Sequence, residues 1–141
     1  MRVSKSKAIW IGNLKDGEGK ISLDSIDCEA NYSFATRFGT KEGTNPEELI
    51  AAAHSGCFSM ALADLIASKG FTPKMVETTA SVTMSTGKNG STISKIELYS
   101  EITVPDIDDE TLAALANEAK LNCPVSKALS AVEITLQYRH I

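Results

Sequence analysis

Apolar and polar residues alternate along most of the chain, but one stretch has almost no polar positions. Alternation of period two marks a strand, and a spacing of three to four marks a helix. Short runs of the first kind lie at 8–14 and at 20–28, where Ile21 and Leu23 face inward, with a turn over Asp16-Gly17-Glu18-Gly19 between them. At 32–38, Tyr32, Phe34, Thr36 and Phe38 alternate with Ser33, Ala35 and Arg37. This predicts a strand with an aromatic face and Arg37 on the other face, completing a small antiparallel meander.

The polar-poor stretch follows a loop at 39–44. Asn45 is a good N-cap, Pro46 suits the first helical position, and Glu47 and Glu48 lie where the helix dipole favours carboxylates. The apolar run then predicts a long buried helix to Ser68, stopped by Gly70 and Pro73. Two alternating runs, 74–86 and a return strand ending at Pro105, flank the turn Gly87-Lys88-Asn89-Gly90. Asp108 caps a helix that ends near Asn122, Cys123-Pro124 opens a short third helix, and 131–139 reads as a last strand. The order predicts one α+β domain over 1–141, its antiparallel strands wrapped around the long central helix.

Composition changes little in this picture: 43% hydrophobic, 23% charged and a formal charge of −4. There is no basic footprint for nucleic acid and no cationic amphipathic helix for a membrane surface. The apolar run near the N-terminus is too short for a signal-peptide core, and no uninterrupted apolar segment is expected to span a bilayer. A cytoplasmic protein is the expectation, and there the three cysteines read as filler, ligands or redox chemistry rather than a structural disulfide.

Cys57 sits midway along the apolar helix, where burial raises a thiol pKa and favours inert filler unless a cation lies nearby. Arg37 is the candidate cation; otherwise it is an exposed strand arginine. Cys123, next to a helix N-terminus, is expected to be the more acidic thiol, or else a small capping residue. Cys28 reads as filler. His54, three residues before Cys57, shares its helix face, but no second histidine or CxxC at ligand spacing supports a metal.

Three segments carry a family resemblance. The run GTNPEELIAAAHSGCFSMAL around Cys57 and the run NCPVSKAL around Cys123 resemble the two cysteine motifs of the OsmC/Ohr family, the osmotically inducible protein C and organic hydroperoxide resistance proteins. YSFATRFG is similar to the arginine-bearing strand of the OsmC branch. The resemblance covers nearly the whole chain and implies an OsmC-like fold and a thiol peroxidase acting in oxidative or osmotic stress defence. Cys57 would attack an organic hydroperoxide and become a sulfenic acid, and Cys123 would resolve it as a disulfide. An external dithiol, often a lipoyl group in this family, would reopen the disulfide, with no cofactor or metal of its own. Arg37 would stabilise the thiolate, and Glu47 would hold the arginine. His54-Ser55-Gly56 departs from the small or apolar residues usual before the first cysteine. Phe38, Ile50, Phe58 and Met60 would form an apolar wall suited to organic peroxides.

Ten helical residues rise about 15 Å, so Glu47 serves Cys57 only through a bend at Gly56 or from a second subunit. An intertwined homodimer is therefore expected. The competing reading is a redox sensor or apolar-ligand-binding protein that keeps the fold and thiols without turnover.

Overall fold

The computed structural model describes residues 1–141. It divides into two compact units, Met1–Leu49 and Ile50–Ile141.

The first unit is a three-stranded antiparallel meander in the order β1-β2-β3: β1 (Ser6–Ile11), β2 (Glu18–Leu23) and β3 (Cys28–Tyr32). Asn13 closes the first turn, its side-chain oxygen accepting from the Asp16 N–H at 2.7 Å. Residues 24–27 form a second turn, so the run at 20–28 is not one strand. Gly19 of β2 pairs with Trp10 on one side and Tyr32 on the other, and the two rings meet above it with centroids 5.4 Å apart.

The strand expected at 32–38 is instead the end of β3 followed by a short helix, α1 (Phe34–Phe38). The reason is local. Thr36 N–H donates to Ser33 Oγ at 3.2 Å, while Ser33 N–H donates to Thr36 Oγ1 at 2.8 Å. This reciprocal box satisfies donors at a helix start and outweighs the alternating pattern.

Helix α2 (Pro46–Ser68) begins and ends where expected. Glu48 N–H donates to Asn45 Oδ1 at 2.8 Å, and Gly70 ends the helix at φ +88°, a conformation costly for other residues. The helix is unbroken through Gly56. By length and composition alone α2 is apolar enough to cross a membrane, a test that a buried core helix also meets. Beyond Glu47 in its first turn, what it buries within the chain is one stripe at i, i+4 spacing: His54, Phe58, Leu62 and Ile66.

The second unit holds the main core. β4 (Met75–Gly87) and β5 (Gly90–Thr103) form an antiparallel hairpin whose turn residues are Lys88 and Asn89. Ile96, Leu98 and Ile102 of β5 pack with Phe58, Leu62 and Ile66 of α2. Leu112, Leu115, Ala116 and Ala119 of α3 (Asp109–Asn122) join the same cluster, with Cys123 at its end. After α4 (Pro124–Ala128), β6 (Glu133–His140) pairs with β5 in parallel, which corrects the all-antiparallel expectation. The connection through α3 and α4 is long enough to carry the chain back to the starting end of β5, which parallel pairing requires.

Candidate active site

In the second unit, the chain folds so that two distant thiols meet. α3 stops at Asn122 because Pro124 cannot donate the next helical hydrogen bond, and the backbone turns at Cys123 (φ −59°, ψ 138°). Cys123 thus ends one helix and caps the next. Its N–H donates to Ala119 O at 3.0 Å, and its Sγ accepts from the Ser126 N–H at 3.3 Å. Only 1% of Cys123 is exposed.

The half-buried Cys57 lies within hydrogen-bonding reach of the Cys123 side chain and of the Val125 backbone. Burial pushes the Cys57 thiol up, the Val125 backbone hydrogen bond pulls it down, and the neighbouring Cys123 adds to the rise; the net direction is upward. Both thiols are free. On the buried stripe of α2, His54 Nε2 lies 2.7 Å from Ser126 Oγ, and the Cys123 thiol donates to the same Oγ at 3.0 Å.

The first unit holds an arginine–glutamate pair. α1 presents Arg37, and the first turn of α2 presents Glu47. Arg37 Nη2 donates to Glu47 Oε1 at 2.7 Å, and its Nε faces both carboxylate oxygens at 3.2 and 3.3 Å. Glu47 is 8% exposed. Burial pushes its carboxyl up, but the hydrogen bonds from Arg37 and the backbone, with the arginine's charge, outweigh that and hold it below its ordinary value.

The Arg37 guanidinium carbon stands 5.5 Å from the centre of the Phe38 ring. It shares a cavity of about 270 Å³ with Trp10, Tyr32, Phe34, Phe38 and Pro46. Arg37 is therefore on the aromatic side, not opposite it, because α1 replaces the expected strand.

The structure brings together Arg37 with Glu47, and Cys57 with Cys123. It alters the expected apolar wall: Phe58 is wholly buried in the core, whereas Met60 is 77% exposed. The apolar cavity is built instead by Trp10, Tyr32 and Phe34, whose grouping depends on meander register and has no sequence motif. Ser126 is also absent from the sequence reading. A serine three residues after Cys123, at a helix start, is the local signal that points to it.

Residues 39–137 match the family model described as OsmC-like protein. The chain is 47% identical to Peroxiredoxin OsmC of Escherichia coli (strain K12) over 136 residues, covering 96% of this chain and 94% of that protein. Among solved structures, it resembles the organic hydroperoxide resistance protein OhrB of Bacillus subtilis, with a TM-score of 0.70, 26% identity and coverage of 96% and 98%. The OsmC-like protein of Mycoplasma pneumoniae shares its fold with a TM-score of 0.77 at 15% identity, covering 99% of this chain and 98% of that one. With a mixed fold around α2 and a match running through both cysteine segments, this chain belongs to the OsmC family.

Proposed function

We propose that the protein reduces organic hydroperoxides to alcohols with Cys57 as the attacking thiol. The observation that carries this is the meeting of Cys57 with Cys123, which lie 66 positions apart in the sequence. The relatives named peroxiredoxin and organic hydroperoxide resistance protein support the same chemistry.

The Cys57 thiolate attacks the distal peroxide oxygen. The O–O bond breaks, the alcohol leaves with a proton, and Cys57 becomes a sulfenic acid. Cys123 then attacks the Cys57 sulfur, forming the disulfide and releasing water. A dithiol of the lipoyl kind reduces the disulfide and restores both thiols.

Burial works against the Cys57 thiolate, so a cation has to favour it. Arg37, held by Glu47, is our candidate for that cation and for polarising the peroxide. The aromatic cavity beside Arg37 favours an organic peroxide over hydrogen peroxide.

Glu47 and Cys57 are ten residues apart on one unbroken helix, about 15 Å of rise. We therefore propose a homodimer in which a second copy supplies the arginine pair. A reducing cytoplasm, in which both cysteines start as thiols, completes the proposal.

The test is peroxide consumption with a dithiol reductant. Cys57→Ser is expected to abolish it. Cys123→Ser is expected to form sulfenic acid but not turn over. Equal activity in wild type and Cys57→Ser rejects the mechanism.

A further inference from the structure

Ser126 and His54 stand beyond the residues assigned above. Ser126 is buried and its Oγ touches the Cys123 sulfur, while His54 is 0% exposed and its ring makes its one hydrogen bond to Ser126. The other ring nitrogen, Nδ1, is buried with no hydrogen-bond partner. An apolar side chain at position 54 would avoid that cost, so packing alone does not account for the imidazole.

We propose that Ser126 and His54 form a proton relay serving Cys123 in the disulfide-forming step. This rests on Cys123 being the resolving thiol. With Nδ1 carrying the ring proton, Nε2 accepts from Ser126 Oγ–H, and Ser126 Oγ accepts from the Cys123 thiol. As Cys123 attacks the Cys57 sulfenic acid, its proton passes to Ser126 Oγ, and the Ser126 proton passes to Nε2. The S–S bond forms and the S–O bond breaks. The departing hydroxide takes a proton from Ser126 Oγ and leaves as water, and Nε2 returns its proton to Ser126, so the ring is neutral again. The Cys57 sulfur is reduced and the Cys123 sulfur oxidised, so the step needs no outside redox partner.

Ser126 touches the reacting sulfur; His54 is a positioning residue that acts through it. Burial also pushes the His54 pKa down, which keeps the resting ring neutral and able to accept. The Ser126 N–H that donates to Cys123 Sγ favours the thiolate as it forms.

The experiment follows one turnover with tert-butyl hydroperoxide. Sulfenic acid is read by dimedone trapping, and disulfide formation by mass spectrometry of quenched samples. In Ser126→Ala and His54→Gln, disulfide formation is expected to slow by about tenfold to a hundredfold, while sulfenic acid accumulates. The wild-type solvent deuterium isotope effect on disulfide formation should shrink in both variants. His54→Leu should slow the same step while sulfenic acid still forms at the wild-type rate, an outcome a purely structural histidine would not give. Wild-type disulfide rates and an unchanged isotope effect in Ser126→Ala and His54→Gln overturn the relay alone. Absence of sulfenic acid in Cys123→Ser overturns the peroxidase reading, and the relay with it.

Discussion

Arg37 meets Glu47 through two nitrogens, and that fork is what a lysine lacks. Arg37→Lys keeps the charge but loses the geometry. It is expected to lower kcat/KM for an organic hydroperoxide by about tenfold or more, since a charge-assisted hydrogen bond is at stake. The pH response follows from the two shifted groups. The folded Glu47 carboxyl lies below its unfolded value. The contribution of the pair is therefore whole above the unfolded pKa, about 4.3, and disappears as pH falls through the lower folded value. Glu47→Gln should flatten the acid side of a plot of urea-unfolding stability against pH. Cys57 shifts the opposite way, so the peroxide rate should rise into the alkaline range, and Arg37→Met should move that rise to still higher pH. An identical rate profile in Arg37→Met would remove the arginine from the mechanism.

At the scale of elements, the capping box decides what 32–38 becomes. Replacing Ser33 with alanine removes one partner of that box and should cost about 1 kcal/mol in chemical denaturation. The chain also shows which elements are legible from sequence. α2 was readable because Asn45, Pro46 and Gly70 are local signals that tertiary packing reinforces. α1 was not, because the aromatic alternation of Tyr32, Phe34 and Phe38 imitates a strand, while the deciding Ser33–Thr36 box lacks the usual acidic partner. The parallel placement of β6 was hidden as well, since strand direction depends on the whole crossover. For the candidate site, the cysteines and the arginine pair stood out through motif resemblance. The cavity did not, because it is assembled across the meander. Gly19 is its hidden requirement: a Cβ there would lie 2.5 Å from the Ile9 backbone oxygen, 2.6 Å from Tyr32 Cε1 and 2.9 Å from Trp10 Cε3. Gly19→Ala should separate the two rings and shift the fluorescence of Trp10, the sole tryptophan.

For the molecule as a whole, α2 sets the scale of assembly. Its apolar length exceeds what one stripe buries, and Met60 stands largely in solvent within a single copy. A second copy covering this surface would bury it, in keeping with the proposed homodimer. Met60→Glu is expected to shift sedimentation toward monomer and to lower peroxidase activity in parallel. A monomeric variant with full activity would separate assembly from catalysis.

The parallel strand β6 has a further consequence, in the order of events during synthesis. Cys57 leaves the ribosome well before Cys123, and the pairing of β6 with β5 that closes the crossover around Cys123 forms last of all. In the proposed cycle, a sulfenic acid formed on Cys57 before then would have no resolving partner and would stay open to irreversible oxidation. In the proposed mechanism, the nascent or locally unfolded chain is thus more open to over-oxidation by a peroxide than the finished protein. Sulfinic acid at Cys57 should therefore accumulate as a record of chains oxidised before the crossover closed.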